Sequence, residues 1–393
     1  MAWEKVKLGD VATCIQPGPF GSQLHNSDYS ESGTPIIMPK DMIDGKISHS
    51  NLIFVEEEHT KRLNRHLVYN GDLMVARKGD VRKCVYITEN ENGWMTGSDC
   101  LKVSLKKDLV LPRFVYYQLR SPFIGRWLEK ISIGATMPSL NTGLLSSVEL
   151  NLPPLVTQQK IADILSAYDN LIENNQKQIK LLEEAAQRLY KQWFIDLRYP
   201  GHETTKTVDG LPEGWEKKKL VDLASVQFGY AFDGSLFNSN GNGTPIVRIR
   251  NIPDGFTNDY TTENAPEEYI INNGDIVVGM DGEFHINSWS GETSYLVQRS
   301  CCFKPRNPKM KGWLLWAIHD PIKFFEKTVV GATVAHLGKK HIDTIELLTG
   351  PERLYEPFQN LFCKRQTLLN QNRKLAESRD RLLPKLMNGE IKV

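Results

Sequence analysis

The ionisable and nucleophilic side chains of this 393-residue sequence do not fall into the spacings of a familiar catalytic centre. Neither of the common glycine-rich phosphate-binding patterns occurs, and no zinc-type spacing of cysteine and histidine is present. His336 and His341 are too weakly related to define a site, and we expect both to be surface residues. Asp275, Asp281 and Glu283 lie close together but are better explained as strand and turn positions. The sequence therefore predicts no catalytic residue, no metal site and no cofactor.

The balance of charge limits how this chain could bind nucleic acid. Lysine and arginine number 48 against 47 aspartate and glutamate, for a net charge of +1. A protein that coats nucleic acid through overall basicity is excluded, and any such surface must be a local patch. The six cysteines show no C-x-x-C spacing, and neither a secretory signal nor an apolar run of membrane-spanning length is present. We therefore expect a cytoplasmic protein with free thiols and no membrane partner.

An internal repeat of about 200 residues organises the chain. The repeated segments are Trp3–Ala12 with Trp215–Ala224, Gly33–Ile37 with Gly243–Val247, Asn70–Val75 with Asn273–Val278, and Ile133–Thr136 with Val330–Thr333. Their order is the same in both copies, and the spacing between copies shrinks steadily along the chain. The repeat predicts two homologous halves, because a solenoid would have a much shorter period.

Each half begins with a mixed pattern of strands and helices. Short β-branched runs between glycine, asparagine and proline predict strands at Thr34–Met38 and Leu73–Ala76 in the first copy and at Ile246–Ile249 in the second. Amphipathic patterns predict single helices over residues 113–131 and 312–328. The pattern indicates a compact α+β domain of about 140 residues in each half.

Each half ends in a long helix with a heptad repeat. Apolar residues alternate at spacings of three and four from Leu165 to Trp193, and the same register recurs from Phe362 to Leu386. The residues that we expect to pair the helices are Ile172, Asn175, Ile179, Leu182, Leu369, Asn372 and Leu383. Two equivalent helices in one chain favour pairing within the chain, although homodimerisation would use the same pattern. The equivalent residues Asn175 and Asn372 either fix the register or are partly exposed without a specific role.

Composition also marks the boundaries between these parts. The Pro153-Pro154 pair ends the first domain, and a stretch rich in glycine, proline and threonine separates the halves. The predicted divisions are residues 1–152 for the first domain, 153–198 for the first long helix, 199–214 for a linker, 215–350 for the second domain and 351–393 for the second long helix and tail.

Several motifs at these boundaries occur together in one known family. They are Trp3–Asp10, Asn70–Leu73, Leu152–Leu155, Gln158–Ile161, Leu189–Phe194, Leu211–Glu216 and Arg379–Ile391. In this order, and over almost the whole chain, the sequence resembles the specificity subunit of type I DNA restriction–modification enzymes.

The resemblance implies an architecture and a function. It implies two homologous target recognition domains separated by two long helices, which pair as an antiparallel coiled coil around a pseudo-two-fold repeat. Each domain would read one half of a bipartite, asymmetric double-stranded DNA target. The helices would bind two methyltransferase (modification) subunits, and the nuclease and translocase (restriction) subunits are further candidate partners. The chain itself would carry no catalytic residue.

Given this resemblance, basic and amide side chains beside the repeated turns become candidate DNA contacts. Arginine and lysine recognise guanine, asparagine recognises adenine, and any basic group can bind phosphate. The candidates are Lys40, Arg77, Lys78, Arg82 and Lys83 in the first domain and Arg248, Arg250 and Asn251 in the second. Alternation with apolar residues places Arg248 and Arg250 on one face of a strand. We expect base readout from Arg250 and phosphate binding from Arg77, although each residue could instead belong to a solvated charged face.

Other interpretations remain open at this point. The loops 18–22 and 229–235 carry aromatic residues that could approach DNA or could simply close each domain. A coiled-coil adaptor with two ligand-binding domains not directed at DNA would explain the repeat, and it predicts no basic surface shared by the two halves. An enzyme could also assemble a site from residues that are distant in the sequence.

Overall fold

The computed structural model describes residues 3–132, 138–328 and 335–393, and the chain forms two compact units. Unit 1 comprises Met1–Asp169 and Glu377–Val393, and unit 2 comprises Asn170–Ala376. Each unit contains a globular α+β part and a stretch of both long helices. The repeated segments Ile133–Thr136 and Val330–Thr333 lie outside the described residues.

Short strands and helices build the globular part of unit 1. The strands are β1 (Glu4–Lys7), β2 (Ala12–Pro17), β3 (Tyr29–Ser30), β4 (Thr34–Ile37), β5 (Met42–Ile43), β6 (Lys46–Ile47), β7 (Ile53–Val55), β8 (Leu73–Ala76), β9 (Cys84–Tyr86), β10 (Met95–Thr96), β11 (Cys100–Leu105) and β12 (Glu149–Leu152). The helices are α1 (Leu8–Val11), α2 (Glu57–Arg62), α3 (Pro112–Leu119), α4 (Pro122–Ile131), α5 (Thr142–Ser146) and the long α6 (Leu155–Tyr190), of which residues 155–169 belong to unit 1.

Strand β8 lies at the centre of unit 1 because both of its faces are apolar. Leu73 and Val75 pack with the helices in one core cluster, and Met74 and Ala76 pack with Ile37 in another. This alternation follows from the two-residue period of a strand. The resulting sheets have the strand orders β2-β11-β8-β9 and β10-β4-β7-β3.

Unit 2 repeats this arrangement. Its strands are β13 (Thr207–Val208), β14 (Leu211–Pro212), β15 (Glu216–Lys219), β16 (Ala224–Phe228), β17 (Phe237–Asn238), β18 (Thr244–Val247), β19 (Tyr260–Thr261), β20 (Ile270–Ile271), β21 (Ile276–Gly279), β22 (Ile286–Ser288), β23 (Ser294–Leu296), β24 (Ser300–Pro305) and β25 (Glu346–Thr349). Its helices after α6 are α7 (Leu220–Leu223), α8 (Lys311–Ala317), α9 (His319–Thr328), α10 (Lys339–Ile342) and α11 (Glu356–Met387).

Strand pairing confirms that the two halves are copies of one fold. Strand β4 pairs with β10 in parallel through Ile36 and Met95, and β18 pairs with β23 in parallel through Ile246 and Tyr295. The strand order β16-β24-β21-β22 of unit 2 matches β2-β11-β8-β9 of unit 1. The α+β class and the internal repeat predicted from the sequence are therefore confirmed.

The long helices are antiparallel within each unit. In unit 2, the side-chain amide of Asn372 lies 3.4 Å from the carbonyl of Ile172, and the rings of Tyr190 and Phe358 meet at 6.5 Å. Residue numbers therefore increase along α6 in the direction in which they decrease along α11, so the two helices run in opposite directions. In unit 1, Leu165 of α6 shares a core cluster with Leu383 and Leu386 of α11. Within the described ranges, no helix combines the length and apolar character that crossing a membrane requires.

Two predictions of single, continuous helices were wrong. The single helix expected over residues 113–131 is divided before Pro122, where the Ser121 hydroxyl accepts a hydrogen bond from the Ile124 amide at 3.4 Å. The helix expected over 312–328 is likewise divided into α8 and α9. Serine before proline is a favoured start for a new helix.

Candidate nucleic-acid interface

In unit 1, several turns meet at one end of the central sheet. We call the turns 18–22, 39–41, 77–83 and 97–99 the loop edge of unit 1. The Gly18 amide donates to the Cys100 carbonyl at 3.2 Å, and the Arg77 amide donates to the Asp99 carbonyl at 2.7 Å. A Cβ at Gly18 would lie 2.1 Å from the Gly97 carbonyl oxygen, so this crossing requires glycine. The loop edge is therefore fixed by main-chain contacts.

Two of the candidate lysines, Lys83 and Lys40, differ in how firmly the loop edge of unit 1 holds their ammonium groups. The Lys83 ammonium donates to the Pro39 carbonyl at 2.9 Å and so ties two turns together. Lys40 is exposed, and its ammonium donates to the Asn51 carbonyl at 3.3 Å. Lys40 is thus more available to a ligand than Lys83.

Arg77 and Lys78 present their charges at the surface of the loop edge. The Arg77 guanidinium lies over the Phe20 ring at 5.6 Å, and the Phe20 side chain is 53% exposed. Lys78 forms an ion pair of 2.9 Å with Asp99. An exposed aromatic ring with a guanidinium against it is a combination that can contact either phosphate or base.

Arg82 differs from the other candidates of unit 1 because it contacts two carboxylates. Its Nε lies 2.9 Å from Asp80 and 3.2 Å from Glu129. Burial tends to raise the pKa of Asp80, but the hydrogen bonds from Arg82 outweigh it and hold that pKa below its usual value. Arg82 also lines a cavity of about 590 Å³ together with Arg120. Its charge is thus largely balanced within unit 1.

Unit 2 has an equivalent loop edge, formed by the turns 229–235, 248–251, 280–285 and 297–299. The Gly229 amide donates to the Ser300 carbonyl at 3.0 Å, and the Met280 amide donates to the Arg299 carbonyl at 2.8 Å. A Cβ at Gly229 would lie 2.1 Å from the Val297 carbonyl oxygen, as at the matching glycine of unit 1. The two loop edges therefore share one backbone plan.

The strand alternation expected for Arg248 and Arg250 is wrong. Strand β18 ends at Val247, and Ile249–Asn251 form a 3₁₀ turn. The turn forms because the Asn251 side-chain oxygen accepts a hydrogen bond from the Arg248 amide at 2.9 Å. Unit 1 uses the same device, since Asp41 accepts from the Met38 amide at 2.9 Å before Pro39–Asp41. Arg250 therefore occupies the position of Lys40, on a turn and not on a strand face.

Arg250 and Asn251 share an acidic partner in the free chain. The Nε and a terminal nitrogen of Arg250 lie 3.1 Å and 2.5 Å from the two Asp259 oxygens, and Asn251 donates to the same carboxylate at 3.2 Å. Burial tends to raise the pKa of Asp259, but these hydrogen bonds together lower it. The Arg248 guanidinium lies over the Phe237 ring at 5.4 Å, and its charge also helps to lower the pKa of Asp259. To read a base, Arg250 would have to break its hydrogen bonds to Asp259 and form hydrogen bonds to the base in their place.

The aromatic loops differ between the units. Phe20 is exposed in unit 1, whereas Phe232 of unit 2 is 7% exposed and packs on Tyr295 at 5.4 Å. Tyr230 packs on Phe232 at 4.8 Å. The loop 229–235 therefore closes unit 2, whereas the loop of unit 1 carries an exposed aromatic ring.

Sequence reasoning missed one charged cluster in the loop edge of unit 2. Arg299 forms an ion pair of 3.3 Å with Asp281, and His336 lies 2.5 Å from the same carboxylate. The sequence pattern indicates only a turn position for Asp281 and a surface position for His336, and it indicates no role for Arg299. No signal in the sequence could have joined them, because their contacts depend on how separate turns meet.

The helix-pairing residues lie in or beside the interface between α6 and α11. Asn175 and Ile179 are buried, and the Asn175 amide lies 3.5 Å from the side-chain oxygen of Gln371. Ile172, Leu182, Leu369 and Asn372 are half-buried, and Leu383 is buried. That these residues hold the two helices together stays a prediction, which substitution of each residue would test.

Two kinds of reactive group bear on whether the described parts of the chain hold a catalytic site, metal-ligand clusters and reactive thiols. No group of three or more histidine, cysteine or acidic residues there is arranged to hold a metal ion. Burial raises the pKa of the Cys84 thiol to about 12 and also raises the pKa of Cys301. Thiols held protonated in a core are poor nucleophiles.

Comparison with known proteins gives a consistent family match. A family model described as the type I restriction modification DNA specificity domain matches residues 2–184 and 212–349. The type I restriction enzyme MjaIX specificity subunit of Methanocaldococcus jannaschii is 26% identical, over 100% of this chain and 94% of its own length. The HindI specificity subunit of Haemophilus influenzae is 23% identical, over 99% of both chains.

A solved structure has a similar fold. The type I restriction–modification S subunit from M. genitalium superposes with a TM-score of 0.58 at 15% sequence identity. The match covers 98% of this chain and 96% of that one.

Proposed function

Since this chain belongs to the type I restriction–modification DNA specificity family, and is a recognition subunit and not a catalytic one, we propose that each unit reads one half of a bipartite, asymmetric double-stranded DNA target. The family match does not favour the alternative of an adaptor whose domains are not directed at DNA. The surface that we assign to DNA is the loop edge of each unit.

The observation that carries this proposal is the shared backbone of the two loop edges. The same main-chain hydrogen bond joins the turn after the central strand to the next turn, from Arg77 to Asp99 in unit 1 and from Met280 to Arg299 in unit 2. The side chains on this common frame differ, however. A constant frame with different side chains can present different reading groups in the same way, so the two half-sites should differ in sequence.

Charge separates the roles within the loop edges. In unit 1, Lys40, Arg77 and Lys78 are exposed or half-exposed on a surface that also carries an unburied ring, Phe20. We assign Arg77 and Lys78 to phosphate, because such contacts need positive charge without exact base geometry. In unit 2, Arg250 starts from a bidentate pair with Asp259, so a base must compete with that carboxylate.

The long helices are the proposed docking surface for two methyltransferase subunits. In unit 2, α6 exposes Leu171 and Leu181, whose side chains are 52% and 64% accessible. These two side chains are apolar contacts that a partner subunit can bury, which is why we assign the docking surface to them. Restriction subunits are further candidate partners of the assembled complex, and its DNA substrate implies a cytoplasmic location.

A domain exchange tests the function. The full chain is co-expressed with a modification subunit of its own system, the complex is purified, and the methylated sequence is read by methylome sequencing. Replacing residues 1–150 with the matching domain of a relative should change one half of the methylated sequence and leave the other half and the spacing intact. A change in both halves, or methylation without sequence preference, would contradict the proposal.

The docking surface has its own test. Leu171→Glu and Leu181→Glu should reduce co-purification of the modification subunit, whereas Gln187→Glu, on an exposed position of the same helix, should not. Unchanged recovery of the complex with both leucine variants would rule out this face of α6.

A further inference from the structure

The equivalent turns of the two units carry an ion pair of opposite polarity. Lys78, on the turn after β8, pairs with Asp99, on the turn before β11, at 2.9 Å. In unit 2, Asp281 follows β21 and pairs with Arg299, before β24, at 3.3 Å. The cation and the carboxylate have therefore exchanged turns.

The backbone shows that these positions correspond. The Gly79 amide donates to the Pro138 carbonyl at 3.1 Å, and the Gly282 amide donates to the Ala335 carbonyl at 3.1 Å. Both glycines have positive φ, of 78° and 69°. Lys78 and Asp281 immediately precede these two glycines. The reversal is thus a change of side chains at corresponding positions, and not a shift in alignment.

The backbone of Arg299 is unfavourable for its residue type. Its φ is 69°, in the left-handed region that glycine and asparagine occupy most easily. Its counterpart Asp99 is not among the residues with positive φ. A strained arginine that leaves 68% of its side chain exposed contributes little packing, which points to a role at the surface.

The acidic partner holds Arg299 at one end only. The closest contact to Asp281 is made by Nε, and among the described residues no hydrogen bond engages the two terminal nitrogens of Arg299. Asp281 is itself 19% exposed, and its other carboxylate oxygen contacts His336 at 2.5 Å, so the carboxylate is held between His336 and Arg299. A guanidinium fixed through Nε presents its two terminal nitrogens as a fork, which matches the O6 and N7 acceptors of guanine.

We propose that Arg299 is a specificity-determining DNA contact of unit 2 and that it reads a guanine in the major groove of the second half-site. The inference rests on the proposed function, because it takes the loop edge as the DNA surface. It places this base contact on a different turn from Lys78, which is the cation of the matching ion pair in unit 1 and is assigned to phosphate. Asp281 is the positioning residue, since it acts through Arg299.

The test measures discrimination and stability together. The full chain, in complex with its modification subunits, is titrated against a fluorescent DNA duplex that carries the target sequence found by methylome sequencing. It is also titrated against duplexes in which one base pair of that sequence is changed at a time. Discrimination at a base pair is the ratio of the two affinities. Arg299→Gly should keep or raise the melting temperature, because glycine relieves the left-handed strain. It should also lose about 10- to 100-fold of discrimination at one G·C pair of the second half-site and none in the first.

Two further variants separate the possible roles. Arg299→Lys keeps the charge but not the fork, so it should also lose discrimination at that pair. Arg306→Ala changes an exposed arginine just beyond the other end of β24 and should leave discrimination unchanged.

The outcomes that overturn the inference are distinct from those that overturn the function. Full recovery with Arg299→Lys, an equal loss on all duplexes, or unchanged discrimination with Arg299→Gly would each reject base readout by Arg299 while sequence-specific binding by the chain stands. If the complex that contains the wild-type chain binds all duplexes equally, the proposed function is rejected, and this inference with it.

Discussion

Asp169 and Arg379 form an ion pair of 2.7 Å between α6 and α11 in unit 1. The second oxygen of Asp169 accepts a hydrogen bond of 2.5 Å from the Tyr117 hydroxyl on α3. Burial tends to lower the pKa of Arg379, but Asp169 and the neighbouring Asp380 together raise it. The pair thus joins both long helices to the globular part of unit 1 through groups that are mostly hidden from water.

We expect Arg379→Met to destabilise unit 1 by about 3 kcal/mol, because it leaves the Asp169 carboxylate buried without its cation. Urea unfolding of the full chain measures the change. The double variant Asp169→Leu with Arg379→Met should be less destabilised than Arg379→Met alone, because no unpaired charge remains. Arg381→Met, on an exposed position of the same helix, is the matched control and should cost less than about 0.5 kcal/mol. If Arg379→Met is no less stable than Arg381→Met, the ion pair contributes nothing to the stability of unit 1.

A second prediction concerns the asparagine of the helix interface in unit 2. The side-chain oxygen of Asn372 is buried without a hydrogen-bond partner among the described residues, and its amide reaches the Ile172 carbonyl only at 3.4 Å. Asn372→Leu should therefore raise the free energy of unfolding by about 1 kcal/mol. Leu369→Asp, three positions earlier, should lower it by 3 kcal/mol or so, since it places a charge in an apolar interface. Equal effects of the two variants would show that this interface does not distinguish apolar from polar groups.

The sequence predicted the parts of the fold that depend on periodicity. The heptad spacing around Ile172 and Leu369 located both long helices, and the repeated turns located both globular domains. The exact ends of elements were harder to predict, because they depend on single side-chain contacts. Asn251 ends β18 by accepting from the Arg248 amide, and a polar residue at such a position is equally compatible with a continuing strand.

The candidate site was only partly predictable for a related reason. Basic residues next to repeated turns, such as Lys40 and Lys78, could be selected from their position. Their partners could not, because the pairing of Asp281 with Arg299 joins turns that meet only in the folded unit. Composition and spacing also do not show that Asp259 already engages Arg250. Charges can be read from a sequence, whereas their neutralisation depends on tertiary contacts.

A third prediction concerns salt. Arg77 and Lys78 are the proposed phosphate contacts of unit 1, and each phosphate contact adds about one to the steepness of the salt dependence of binding. Arg77→Ala should therefore weaken binding to all duplexes alike and lower the slope of log affinity against log salt by about one. Arg250→Ala should leave that slope nearly unchanged, because Asp259 already balances the Arg250 charge. The measurement is a salt titration of the complex with labelled duplex. A loss confined to one base pair with Arg77→Ala would instead make Arg77 a reading residue.

The last prediction concerns pH and follows from His66, which is 4% exposed in unit 1. Its Nδ1 lies 3.0 Å from the Pro17 carbonyl and so must donate, which leaves Nε2 to accept from Arg65 at 3.0 Å. Burial lowers the pKa of His66 below 6.5, and the charges of Arg65 and Lys102 lower it further, against the opposing effect of the Pro17 carbonyl. The ring is thus held neutral, because a proton on Nε2 would displace the Arg65 bond.

The unfolded chain binds this proton more readily than the folded chain, so stability is greatest above pH 6.5 and falls as the pH drops below that value towards the folded pKa of His66. The loss can reach about 1.4 kcal/mol per pH unit for one proton. Urea unfolding of the full chain at pH 7.5, 6.5 and 5.5 measures it. His66→Gln replaces the imidazole with a neutral amide, which also has a donor and an acceptor but cannot take up a proton, so the decline between pH 6.5 and 5.5 should be shallower in the variant. His202→Gln changes a histidine on the exposed surface of unit 2 and should follow the unmodified chain. If His66→Gln and the unmodified chain decline in parallel, other groups set the acid sensitivity of unit 1.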